Sequence, residues 1–502
     1  MTNDIAGSQN QEGLKLFVGN FVDTPSAGEL RIRREHLLAV SPEGYITHLA
    51  PLHSDSSQLL LSTHPDAAGS SLTQIPAHSF LLPTFTDLHL HAPQYMYYGT
   101  GLDLPLLQWL EQYAYKAEER IDASAELAER VYGRLVQRLK ENGTGCVSLF
   151  GTIGVRANLI LAKKMQEAGL RGFIGKLSMD ESPRPTYGES SASASLASVT
   201  DFIDSLQSYL SSFKPHERLV EPIITPRFIP VCSDELLVGL QKLGQEKGVR
   251  VQSHMCEGRD QMDMVMKSRG KRDQDLWDEL GFLGPKTLQA HVTYLDENMI
   301  PLVKERQLTM AHCPLSNAYL SEKQFPLREA IDAGLQVGLG TDIAGGYSPS
   351  IQVQMRQAVI ISRLREGARC ESLDCSFADA DAQEADAASS SVSTSNGQAK
   401  SKSKNVKVDW KEAVYLATRG GKKGMGLGGA LEVGMEFDVQ LIELASKSSP
   451  SGTGPLDLFD LKVEEDPSKL DEAWWNESIE RWWCNGDERN RKGMWVQGKK
   501  IA

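Results

Sequence analysis

Two histidines one residue apart, His89 and His91, stand in the run Thr86-Asp87-Leu88-His89-Leu90-His91-Ala92-Pro93. Alternate side chains of a strand share a face, so both imidazoles can reach one metal ion. Taken alone, the spacing suits two half-buried structural histidines equally well. Of the eleven histidines in the chain, six (His36, His48, His53, His64, His78 and His216) fall in apparent loops or in the regions near the N-terminus. The other three, His254, His291 and His312, stand at or near the ends of apolar runs. His254 ends VRVQSH and is followed three residues later by Glu257; a carboxylate, Asp342, ends LQVGLGTD. A satisfied core histidine accounts for one such residue, whereas polar groups ending several apolar strands converge when those strands form a barrel.

The elements that must position these residues follow from the alternation of apolar runs with helical patterns. Eight runs read as strands: 80–90, 146–152, 172–179, 220–228, 249–254, 287–293, 307–313 and 336–341. Helical patterns lie between several of them, among them 125–140 and 158–168. The pattern predicts an α/β fold, a (β/α)8 TIM-type barrel, although mixed strands alone would also suit an open doubly wound sheet. Strand-like runs at 14–22, 37–49, 437–444 and 493–501 predict a small β-sandwich domain formed by both chain ends. The expected division is 1–82 and 431–502 for the two parts of that domain and 83–430 for the barrel. The first dozen residues read as frayed and 446–455 as a loop. Residues 377–404, rich in Ala, Asp, Ser and Lys, lack the large apolar side chains needed to offset ordering entropy and read as a disordered insertion.

Composition sets the outer limits. The 502 residues carry 53 basic and 66 acidic side chains, a formal charge of −13, which argues against sequence-independent binding to nucleic acid or anionic lipid. With 40% apolar and 24% charged residues the chain is of ordinary globular composition, and no apolar run is long enough to span a membrane. The seven cysteines are scattered, form no C-x-x-C pair and follow a polar N-terminal stretch. They read as reduced thiols of a cytoplasmic protein.

The composite order H-x-H, H-x-x-E, a lone His and G-T-D resembles the metal-dependent amidohydrolase superfamily. Longer blocks are similar to guanine deaminases of that superfamily: HAPQYMYYGTGLDLPLLQWL, GKLSMDESP, TPRFIPVCSDELL, SHMCE, HVTYL, AHCPLSNAYL and GTDIAGGYS. The resemblance makes His89, His91, His254 and Asp342 the ligands of one divalent ion per chain. Three imidazoles and a carboxylate suit Zn²⁺, with Fe²⁺ as the alternative. Two-metal relatives end the fourth strand in a bridging lysine; here Thr225-Pro226-Arg227-Phe228 stands there, which implies a single metal. The implied reaction is hydrolysis of guanine to xanthine and ammonia, in purine catabolism or salvage, by a homodimer.

That reaction needs an activated water and protons delivered to the ring and the leaving amine. Glu257 is the expected shuttle, His291 the group that orients the water, and Asp342 both ligand and proton acceptor; His312 reads as supporting. Arg227 is expected to address the ring carbonyl, Gln94 the adjacent amide-like edge, and Phe228 the ring face. Trp109 and Leu104 either wall the pocket or pack a helix on the barrel. Three rivals remain from the residues alone. One is another aminohydrolase, acting on a pterin, cytosine or a different purine; one is a triazine hydrolase; one is an inactive scaffold that should have lost a ligand. The zinc deaminase signature H-x-E with P-C-x-x-C is absent.

Overall fold

The computed structural model describes residues 13–63, 72–372, 405–460 and 469–502. The expected insertion at 377–404 and the first dozen residues lie outside these. The chain opens with β1 (Lys15–Asp23), β2 (Arg31–Val40), β3 (Ile46–Pro51), β4 (Leu72–Gln74) and β5 (Ser79–Pro83). β1 alternates as strand chemistry requires: Leu16 and Val18 pack with Leu37 and Ala39 on one face, Phe17 and Phe21 with Leu38 and Val40 on the other.

The central strands are β6 (Phe85–His91), β7 (Thr144–Phe150), β8 (Arg171–Gly175), β9 (Leu177–Ser178), β10 (Val220–Pro226), β11 (Arg250–Met255), β12 (Thr287–His291), β13 (Thr309–His312) and β14 (Gln336–Leu339). Eight of them pair in parallel in the order β6-β7-β8-β10-β11-β12-β13-β14, with the short β9 beside β10. Backbone bonds just beyond β14 close the ring onto β6: Asp342 N–H donates to the His89 carbonyl at 2.7 Å and His91 N–H to that of Ile343 at 3.0 Å. Leu88, Cys146, Phe173, Ile223 and Leu288 fill its interior, a packed core as in other (β/α)8 barrels. Helices cover the outside. Ala125–Glu141 begins where the Ser124 hydroxyl accepts from Leu127 N–H, and Val155–Ala168 ends at Gly169, whose φ of 73° is left-handed.

The C-terminal strands β15 (Val439–Glu443), β16 (Arg491–Val496) and β17 (Lys499–Lys500) return to the first sheet, giving the order β17-β16-β15-β5-β1-β2-β3. The expected strand 80–90 is therefore two strands. Leu82 pairs with Gln440 in the terminal sheet, while Phe85 pairs with Thr144 in the barrel. Asp438, just before β15, ties the two bodies together. It accepts from Arg171 at 2.7 and 3.1 Å, from Lys422 at 3.1 Å and from Gln497 N–H at 2.8 Å. These two cations hold the carboxyl below its usual range although its burial acts the other way.

Candidate active site

The carboxyl ends of the barrel strands bring together His89 and His91 from β6, His254 from β11, His291 from β12 and Asp342 after β14. His89 Nε2 lies 3.1 Å and His91 Nε2 3.7 Å from Asp342 Oδ1, and His91 and His254 face each other Nε2 to Nε2 at 3.1 Å. β6 reaches this arrangement through a bulge. Between Asp87 and Leu90 it carries one residue more than the β7 segment opposite, and such an insertion re-aims the side chains around it. Asp87 pins the bulge by accepting from the backbone of His89 and Thr341 and from the Thr341 hydroxyl.

Glu257 sits beside the cluster, its Oε1 3.7 Å from His291 Nε2, which is also 3.7 Å from Asp342 Oδ2. Burial pushes the Glu257 carboxyl up from 4.5 to about 7, against the pull of His291, the range suited to proton exchange at neutral pH. Its backbone is held on both sides: Glu257 N–H donates to Gln261 Oε1, and the Glu257 carbonyl accepts from the Ser321 hydroxyl. His291 Nδ1 faces Asn317 Oδ1 at 2.9 Å. Burial opposes its charge, but Glu257, Asp342 and Asn317 together raise its pKa.

Above the cluster lies a cavity of about 30 Å³, walled by Gln94, Trp109, Arg227, Phe228 and Leu320 and floored by His91, His254, Glu257 and Asp342. It holds about two waters. Arg227 is fully buried, lies 4.8 Å over the Tyr115 ring and donates to Glu118 at 2.5 Å.

The match to the amidohydrolase family model covers residues 80–499. The chain belongs to that family. Among proteins similar to this amidohydrolase, a guanine deaminase of Mus musculus is 33% identical over 97% of this chain and 96% of its own. A probable guanine deaminase of Schizosaccharomyces pombe is 31% identical over 97% and 83%. The crystal structure of guanine deaminase from C. acetobutylicum with bound guanine aligns with a TM-score of 0.78 at 28% identity, covering 97% of this chain and all of that one.

The donor set of this amidohydrolase fits a divalent cation. His254 Nδ1 faces the Arg227 carbonyl at 2.6 Å and so carries the proton, leaving a lone pair on Nε2. His89 Nδ1 is buried without a hydrogen-bond partner, and its Nε2 meets the Asp342 carboxylate. Burial, reinforced by the neighbouring imidazoles, holds His91 and His254 well below the usual histidine value, and burial lowers His89 too. The Asp342 carboxyl is kept well below its own range because His89, His291 and His91 outweigh its burial. Neutral imidazoles beside an ionised carboxylate are what Zn²⁺ binds.

The structure thus gathers His89, His91, His254, Glu257, His291, Asp342, Gln94, Arg227, Phe228 and Trp109 around one cavity. His312 stands apart, stacked on Phe325 at 4.9 Å, and Leu104 packs against the apolar core. Three supporting residues escaped the sequence reading: Glu118, Asn317 and Asp87. Asp87 alone left a signal there, as a carboxylate two residues before His89 in a fully buried strand. Cys256, His291, Val292 and Asp342 all have left-handed backbone, with φ of 51°, 69°, 48° and 46°. Side chains other than glycine pay roughly 1–3 kcal/mol for this, and strand ends bent this way turn His291 and Asp342 toward the cavity.

Proposed function

We propose that this chain hydrolyses guanine to xanthine and ammonia. The observation that carries the reading is the shared cavity: a guanidinium, an amide and a proton-exchanging carboxylate face the same small space as the three-histidine, one-carboxylate set. Near-full-length similarity to proteins named guanine deaminase supports the same substrate. We assign His89, His91, His254 and Asp342 to one Zn²⁺ per chain, with Fe²⁺ as the alternative. When bound, the cation lowers the pKa of a coordinated water toward about 7.

Glu257 takes one proton from the attacking water and places it on ring N3 as the oxygen bonds to C2. The second water proton passes through the same carboxylate, aided by Asp342, to the exocyclic amine. The C2–N bond then breaks, ammonia leaves and the C2 carbonyl forms. His291, held by Asn317, orients the water against C2. Arg227 donates to the C6 oxygen, Gln94 addresses the adjoining edge, and Phe228 and Trp109 flank the ring and exclude solvent. We further assign a cytoplasmic homodimer working in purine breakdown. The cytoplasmic part draws support from the scattered cysteines of the sequence, odd in number and without a C-x-x-C pair; no described helix is long and apolar enough to cross a membrane.

The test is purified protein with guanine, following xanthine and ammonia together with metal content and mass in solution. Stoichiometric xanthine and ammonia with about one zinc per chain is the expected result. Zinc without guanine turnover would overturn the substrate and leave the family chemistry.

A further inference from the structure

The two groups that face the ring are both tied to one residue that lines no part of the cavity. Glu118 is fully buried on the helix Tyr115–Ala123, which follows the π-helical stretch Leu110–Ala114. Its Oε2 accepts from Arg227 Nη1 at 2.5 Å and its Oε1 from Gln94 Nε2 at 3.2 Å. Gln94 Oε1 in turn accepts from Ala344 N–H at 3.2 Å. A carboxylate only accepts, so the Gln94 amide must present its NH₂ to Glu118, and the orientation of that side chain is fixed. Tyr115, one turn earlier, supplies the ring face under the same guanidinium.

Charge follows the same geometry. The ionisable groups around Arg227 include Glu118 and Tyr115 on this helix, Tyr187 and Tyr97 beside them, and His91 and Glu257 across the cavity. Of these only Glu118 forms an ion pair with it. An unpaired guanidinium at that depth would be costly and would attract anions. We propose that Glu118 is a specificity-determining positioning residue, which neutralises Arg227 and locks Gln94 so that the recognition wall accepts an uncharged lactam ring and disfavours an anionic one. The inference rests on the guanine reading and deepens it. Substrate and product differ in this respect: replacing the C2 amine by a carbonyl makes xanthine the more acidic ring. A neutralised wall holds guanine and weakens its grip on the product once that product loses a proton.

The experiment measures xanthine inhibition and guanine kinetics as the pH is raised through the ionisation of xanthine, in the metal-loaded wild type, Glu118→Gln and Glu118→Asp. Wild-type inhibition by xanthine should weaken as xanthine ionises. Glu118→Gln should keep its metal, raise KM for guanine by about tenfold or more, as loss of a charged hydrogen bond implies, and reverse the trend so that inhibition strengthens with ionisation. Glu118→Asp keeps the charge and should keep the wild-type inhibition profile while KM rises. Wild-type inhibition that strengthens with ionisation overturns the proposal, and needs no variant to fold. So does a metal-loaded Glu118→Gln with wild-type KM and inhibition profile; that result leaves guanine turnover by the wild type intact. A wild type that does not turn over guanine overturns the parent reading and this one with it.

Discussion

Replacing Glu257 by glutamine keeps the size of the side chain and removes its ability to take a proton. Burial lifts this carboxyl from 4.5 to about 7, and at about 1.4 kcal/mol per pH unit that rise corresponds to ~3 kcal/mol. Because the folded pKa lies above the unfolded one, the folded chain binds the proton more tightly. Folding is then least penalised below about 4.5, and stability falls as pH rises from there through about 7. Glutamine removes that penalty. In chelator-treated protein Glu257→Gln should therefore melt higher than wild type at pH 8, by an amount worth up to about 3 kcal/mol, with little difference at pH 4. In metal-loaded protein the same variant should lose about 10²- to 10⁴-fold in kcat, the usual worth of a positioned acid–base group, with metal content unchanged. The assays are thermal melts at the two pH values and steady-state ammonia release with metal analysis. Wild-type kcat in Glu257→Gln would refute the shuttle, and a lower melting temperature at pH 8 would refute the burial argument.

His89→Ala removes one of four converging donors and should lose both bound metal and turnover; metal retained at the wild-type level would displace His89 from the ligand set. Arg227→Ala should raise KM for guanine by about 10- to 100-fold, as loss of a charged hydrogen bond predicts, and should lower the melting temperature by stranding Glu118; an unchanged KM would move Arg227 out of the pocket. Asp438→Asn leaves Arg171 and Lys422 without their shared counter-ion and should cost about 3–5 kcal/mol. Asp438 is depressed in the folded state, so its contribution is present above the ordinary carboxylate pKa and is lost as pH falls below it. Wild type and variant should therefore converge in stability on acidification, and a constant gap down to low pH would sink that assignment.

The cluster itself was legible because each member ends an apolar run, and barrel topology carries such ends to one face. The supporting residues were not. Glu118 lies in KAEERID, where Glu119, Arg120 and Asp122 make it look like any residue on a solvated helix face; only the fold shows that its side chain points at Arg227. Asn317 is likewise one polar residue in a short helix, Pro314–Leu320, until His291 is seen to face it. The bulge in β6 has no composition of its own, since one extra residue changes pairing and not chemistry. Thr84 gave no warning that an apolar run from 80 to 90 crosses between two sheets, because both halves are equally buried. The helix Glu472–Asn485, whose paired tryptophans pack inward, was missed for a related reason: it lies between terminal runs whose strand character dominated the reading.

The pairing of β5 with β15 sets a timetable for the chain as it is made. Leu81 waits for Leu441, 360 positions later, and at roughly 5–20 residues per second the ribosome takes about 18–72 s to supply it. For that interval the apolar stretch Ser79–Pro83 has only β1 alongside it, joined at the single pair Phe21 and Leu81, and its other edge stands open. The barrel strands up to β14 emerge and can pair in order meanwhile, so the terminal sheet is the last part to close. A nascent chain stalled anywhere between the two strands would present that open edge to its neighbours, which makes this edge, and not the barrel, the place where chaperone engagement or aggregation during synthesis should begin.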